Sequence, residues 1–203
     1  MTAEIPVQLY DAFRQIRDKD YAAAESLLKK MLEAPGGETP ARQALIHSTL
    51  GILYKVRGEV KEAWRHYERA EKFLPDDPSL KIIVAKFLID QFAQYDAALK
   101  RMKKVLRIAR GVPSFEHQAR AISAIAYLRK GERGQAKKML EAASDFEGLA
   151  TAENINLDLI EALLARNFEP GLCRRYLEKG MELARQRGED QRAELFGKLI
   201  AGL

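Results

Sequence analysis

The sequence predicts an all-α protein of about eleven helices that stack as repeated helix–turn–helix pairs. Three observations carry this reading. One window, Ala44 to Pro75, holds Leu50, Gly51, Tyr54, Gly58, Ala63, Tyr67, Ala70 and Pro75 at offsets that suit two tightly packed helices joined by a glycine turn. A small-x₃-large-x₂-small pattern recurs along the chain, anchored at Ala24, Ala63, Ala98, Ala136 and Cys173, which lie 39, 35, 38 and 37 residues apart. The period-two alternation of a half-buried strand occurs nowhere.

Within the window, Gly51 and Ala63 are small enough to let two helices approach closely, and Tyr54 and Tyr67 fill the space beside them. Gly58 falls in the turn, where a positive φ is cheap only for glycine. Pro75 ends the second helix. Each pair leaves an apolar face uncovered, so the pairs must stack on one another. These eight positions resemble the tetratricopeptide (TPR) repeat, a unit of roughly 34 residues with the pattern L-G-x₂-Y…A-x₃-F…P. His47 stands where the first position of that pattern usually has Trp.

The resemblance extends over nearly the whole chain and is most complete in the second repeat. It implies a right-handed superhelical solenoid of about five TPR-like units plus a C-terminal capping helix, in a single domain covering 1–203. The units fall at roughly 5–37, 40–76, 78–112, 114–147 and 151–187, with the cap at 190–203. The first carries Tyr21, Ala24, Leu28 and Met31 on its second helix, with Lys19 at the turn position. The third carries Tyr95, Ala98, Met102 and Val105, with Ala93 at the turn, and its first helix is apolar almost all round. The fourth has Gly131, Ala136, Leu140 and Ala143, and the fifth Cys173, Leu177 and Gly180.

Punctuation agrees with this division. Thr39-Pro40, Asp77-Pro78 and Glu169-Pro170 place proline at a first helical position, and Thr39, Asp77 and Ser114 are suited to N-caps. Pro35-Gly36-Gly37 and Gly111-Val112-Pro113 separate repeats, and Gly148 and Gly188 are expected helix terminators. Beyond Gly188, Ala193, Leu195, Phe196, Leu199 and Ile200 line one side of a last helix that should cover the open end.

The 203 residues suffice for a sizeable core. A hydrophobic content of 47% with 31% charged residues excludes a disordered chain, and the net charge of +5 is modest. The N-terminal MTAEIPVQLYDAF has no basic region followed by an apolar core, so no secretory signal is expected. No stretch reaches the roughly 18–20 apolar residues of a membrane span. The single Cys173 cannot form an internal disulfide. Cytoplasm is the expected compartment.

Catalytic and metal motifs are absent, so no enzyme, cofactor or metal is expected. His47, His66 and His117 have no ligand partner at metal-site spacing and are expected to be surface or half-buried helix residues. Cys173 occupies a position that wants a small packed residue. Acidic pairs such as Asp76-Asp77 and Glu189-Asp190 sit at helix starts, where they complement the helix dipole.

The resemblance instead implies a partner-binding concave face on the first helices. Carried over position by position, it comprises Leu9, Phe13 and Arg17 in the first repeat, then Leu45, Ile52, Lys55 and Val56 in the second. Phe87 in the third and Ala121, Ile125 and Arg129 in the fourth complete it. Such a face, apolar with a basic flank, suits an apolar or amphipathic protein segment. The expected function is therefore a non-enzymatic protein–protein adaptor. The Lys/Asn carboxylate clamp of some TPR co-chaperones is missing, because Leu9, Phe13 and Thr49 stand at its positions. Two alternatives stay open: a self-associating scaffold, and a binder of an anionic polymer or surface acting through a basic strip on the second helices. That strip is Lys100, Lys103, Lys104 and Arg107 on the second helix of the third repeat. Nucleic acid is not the expected partner, because no aromatic residues interleave with these cations.

Overall fold

The computed structural model describes residues 7–34 and 39–203. Among them are eleven α-helices and no strand. Pro35, Gly36 and Gly37, the expected break between the first two repeats, lie outside the described residues. The chain divides into two compact bodies, Met1–Leu80 and Lys81–Leu203.

The N-terminal body holds α1 (Val7–Arg17), α2 (Tyr21–Glu33), α3 (Pro40–Val56) and α4 (Val60–Phe73). Its core is built from the repeat positions: Ala24, Leu28 and Met31 on α2, Leu50 and Leu53 on α3, and Ala63, Tyr67 and Ala70 on α4. α3 and α4 are the most closely packed pair, and the reason is Gly51. A Cβ there would lie 2.5 Å from Cε1 of Tyr67, so the buried tyrosine ring occupies the space that any side chain would need. A smaller cluster of Ala44, Ala70 and Leu80, covered by Leu74, closes the far end of the pair. Between repeats, Glu25 of α2 ties down α3. It accepts from the Tyr54 hydroxyl at 2.8 Å and from the Arg57 guanidinium at 2.5 Å, and it pairs with Lys29 at 2.6 Å. Hydrogen bonds from Lys29 and then Tyr54 hold its carboxyl down at about 2.

The C-terminal body takes in most of α5 (Pro78–Phe92), then α6 (Tyr95–Ile108), α7 (Pro113–Lys130), α8 (Arg133–Ala143), a 3₁₀ turn (Ala152–Asn154), α9 (Leu157–Leu164), α10 (Pro170–Gln186) and α11 (Asp190–Ala201). α5 is buried on several sides through Val84, Ala85, Phe87, Leu88 and Ile89, as its all-round apolar sequence requires. At the C-terminal end, Phe196 of α11 is fully buried against Gly180 of α10, where an added Cβ would meet Phe196 Cζ at 2.9 Å. Gly180 is thus the seat of the last helix.

One turn geometry recurs. Lys19, Gly58, Ala93, Gly131 and Gly188 all have left-handed φ, between 51° and 88°. In the Gly58 turn, Gly58 N–H donates to Lys55 O and Glu59 N–H to Tyr54 O, the paired bonds of a Schellman motif. The same pair forms at Lys19, Gly131 and Gly188. Each left-handed residue sits five positions before a small buried residue: Ala24, Ala63, Ala98, Ala136 and Ala193. The turn between α9 and α10 differs, with Asn167 and Glu169 both left-handed and one extra residue before the helix.

Two details of the expected punctuation are corrected. α7 begins at Pro113 with Val112 as N-cap, so Ser114 lies inside the first turn. Glu116 instead reaches back, accepting from Gly111 N–H at 2.9 Å. Gly148 has φ 76° but follows the end of α8 by several residues, so it shapes the loop to the 3₁₀ turn and ends no helix. Thr39 and Asp77 cap as expected, accepting from Arg42 N–H and Leu80 N–H.

Candidate functional site

In the N-terminal body, α1 and α3 pack directly on one another. Phe13 is 39% exposed and Val56 is 49% exposed. Arg17 and Lys55 are exposed, and Leu45 and Ile52 are half-buried. Leu9, also expected on this face, is fully buried and belongs to the α1 core together with Ala12. The apolar exposure continues along α1 through Tyr10 and Val7, at 61% and 76%. Tyr10, Phe13 and Arg17 share one side of α1 at i, i+3 and i+7. The face is therefore apolar, with cations at Arg17 and Lys55.

The corresponding positions of the C-terminal body are occupied. Phe87, Ala121 and Ile125 are buried, at 1%, 0% and 6% exposure. Phe87 packs edge-on against Phe92 at 5.6 Å between ring centres. Arg129 of α7 is half-buried and donates to Asp90 of α5 at 2.8 Å. Lys86 of α5 forms an ion pair with Asp158 of α9. These pairs tie α5, α7 and α9 to one another. The expectation of an accessible apolar trough at Phe87, Ala121 and Ile125 is corrected. α7 is a long helix with small residues on nearly every side, and neighbours close over it.

Of the histidines, expected to be surface or half-buried, His66 is half-buried while His47 and His117 are buried, and none is isolated in space. Nδ1 of His47 lies 2.9 Å from Nδ1 of His66, and the two rings are flanked by Phe73 and Tyr54. Burial, then the neighbouring His47 and Arg69, pushes His66 down to about 4. His117 is 1% exposed and joins four elements. Its Nδ1 donates to Ala143 O at 3.0 Å, and its Nε2 accepts from Asn156 N–H at 3.0 Å. The Tyr176 hydroxyl lies 3.2 Å from the same nitrogen and donates to Asn156 O at 3.1 Å. Burial pushes His117 down to about 4. Every polar atom of the ring is committed to structure. No sequence signal pointed to these contacts, because Ala143, Asn156 and Tyr176 are 26, 39 and 59 positions away.

Cys173 is buried, donates to Phe168 O at 3.3 Å, and has its thiol pushed up to about 11 by burial. It is a packing residue, unsuited to act as a nucleophile at neutral pH. No group of three metal-ligating side chains occurs among the described residues, and none of their helices is long and apolar enough to cross a membrane.

On α6, Met102 and Val105 face the core, and Lys100, Lys103 and Arg107 are exposed on the opposite side with Arg110 just beyond the helix. Lys104 is half-buried. Of the four residues of the expected basic strip, Lys100, Lys103 and Arg107 are therefore at the surface and Lys104 is only partly so.

No family model matches the sequence, and none of the curated proteins matches it. Solved structures do match in fold. The chain superposes on PilW, described as a widely conserved type IV pilus biogenesis factor, with a TM-score of 0.66 at 14% identity over 97% of this chain and 91% of that one. The pilF protein of Pseudomonas aeruginosa gives 0.63 at 17% identity, over 95% and 88%. YrrB, described as a TPR protein with an unusual peptide-binding site, gives 0.53 at 16% identity, over 94% and 90%. With the left-handed turns and small-residue anchors above, these likenesses show that the chain has the TPR fold.

Proposed function

We propose that this protein is a non-enzymatic adaptor that holds an apolar or amphipathic segment of a partner protein on the α1/α3 face. The observation that carries this reading is the accessibility of Phe13 and Val56, flanked by Arg17 and Lys55, where equivalent positions of the C-terminal body are buried. Large apolar side chains left in water on adjacent helices are the usual mark of a recognition surface. A peptide-binding site in the TPR protein YrrB supports the reading by analogy of fold. The structural commitment of His117 and Cys173 supports the non-enzymatic part.

The basic flank favours a partner segment with carboxylates beside its apolar residues. The test is capture of partners from the source cell by the wild-type chain and by the Phe13→Glu/Val56→Glu double variant. Both residues are exposed, so helicity by circular dichroism should stay unchanged while the captured partner is lost. A folded variant that retains every wild-type partner would sink the proposal. Val7 and Tyr10 extend the apolar side of α1 and favour a second occupant, another copy of this chain. Light scattering over a concentration series detects that association directly.

A further inference from the structure

We infer that the outer side of α6 is a docking surface for an acidic polypeptide segment, separate in its residues from the α1/α3 face. Lys100, Lys103 and Arg107 follow one another at i, i+3 and i+7, so they form a line along one side of α6 that extends roughly 10 Å, and Arg110, just beyond the helix, lines the same depression. None of the four makes a hydrogen bond or ion pair with any described residue. Four other cations of the C-terminal body are paired: Lys86 with Asp158, Arg129 with Asp90, Lys137 with Glu169, and Lys130 with Asp96 and Glu132. α6 itself contains one acid, Asp96, and it is engaged by Lys130.

Like charges three and four residues apart oppose helix formation. A ligand of opposite charge would remove that repulsion.

The four cations, with Lys104 and Leu106, line a surface depression of about 460 Å³. Leu106 gives it an apolar patch between charged walls. An acidic segment that carries an occasional leucine or phenylalanine satisfies both. A single nucleic-acid strand meets the charges, but the lining offers no aromatic ring on which a base could stack. Charge complementarity along a straight helical line fits a second helix whose carboxylates repeat at the same spacing.

The experiment uses the full chain and a fluorescent peptide of roughly 16 residues with glutamates at i, i+3, i+7 and i+10 and leucines between them. A peptide with glutamine in place of glutamate and a single-stranded DNA oligonucleotide of equal charge serve as comparators. Two variants carry equal charge loss. One replaces Lys100, Lys103, Arg107 and Arg110 with Gln; the other replaces the exposed Lys30, Lys61, Lys72 and Arg166 with Gln.

The acidic peptide should bind the wild type and weaken about tenfold or more in the α6 variant, with less than about twofold change in the control variant. Binding should also weaken as salt rises. Equal weakening in both variants would reduce the effect to net charge and overturn the proposal. Tighter binding of the oligonucleotide than of the peptide, lost in the α6 variant, would replace it with a nucleic-acid surface. Equal affinity for the glutamate and glutamine peptides, or for neither, would also overturn it. The α1/α3 double variant should bind the acidic peptide normally, so the two surfaces fail or stand separately.

Discussion

The backbone N–H of Asn156 holds His117 in one protonation state: the ring Nε2 accepts that N–H at 3.0 Å while Nδ1 donates to Ala143 O. A proton added at Nε2 would oppose that N–H. Burial pushes the folded ring down to about 4, below the 6.5 of an exposed histidine. Between those values the unfolded chain binds a proton that the folded chain does not. Stability is then full above about pH 6.5 and falls as the pH drops towards 4, by up to about 3 kcal/mol for this residue. His66 acts in the same direction. Denaturation midpoints taken from pH 7 to pH 4.5 should decline, and His117→Gln should flatten that decline while lowering stability at pH 7 by about 1–3 kcal/mol. A wild type whose midpoint is constant over this range would contradict the assignment.

The contact between Gly51 and Tyr67 gives a sharper test of the α3/α4 crossing. A Cβ at position 51 would fall 2.5 to 2.9 Å from three ring atoms of a side chain that is 1% exposed. The ring has nowhere to move, so Gly51→Ala should destabilise by about 1–3 kcal/mol despite the higher helix propensity of alanine. Tyr67→Leu removes the opposing ring. The double variant should be less destabilised than the sum of the singles, and chemical denaturation of the four proteins measures that coupling. Simple additivity would mean that the two residues do not touch.

Lys19 and Ala93 occupy the turn position that glycine holds at 58, 131 and 188, and they adopt the same left-handed backbone, with φ 64° and 51°. Neither side chain gains a contact that requires this conformation. Ala93→Gly should therefore stabilise by about 0.5–1 kcal/mol, the steric relief exceeding the added entropy of the unfolded chain. Lys19→Gly should do the same to a similar degree. Thermal unfolding would show both as upward shifts, and a downward shift at either site would contradict the strain argument.

These turns show why so much of the fold was legible in the sequence. The helix pair is specified locally, by one small residue at a crossing and one left-handed residue five positions before the next. Lys19 and Ala93 departed from the expected residue type but kept the spacing, and the fold kept the turn. The binding face was less legible because a repeat position fixes direction and does not fix cover. Phe13 and Ile125 hold equivalent places on α1 and α7, yet one is 39% exposed and the other 6%. The difference comes from elements remote in sequence. The Lys86–Asp158 and Arg129–Asp90 pairs draw α5, α7 and α9 together, and they link residues 72 and 39 positions apart. His117 was illegible for the same reason.

That contrast yields the last prediction. Ile125→Glu places a carboxylate at a position only 6% exposed, where little water reaches it and the nearest cation along the helix, Arg129, is already engaged by Asp90. Burying an unpaired charge is among the few single changes that cost more than about 3 kcal/mol. The variant should lose cooperative unfolding or precipitate, whatever its effect on binding. Val56→Glu, on a side chain 49% exposed, should stay within about 0.5 kcal/mol of wild type. Circular dichroism melts of the two proteins side by side decide the matter. If Ile125→Glu folded as stably as Val56→Glu, the α7 face would be open to solvent. The C-terminal body would then carry an accessible apolar face of its own on α7, and the adaptor reading confined to α1 and α3 would be incomplete.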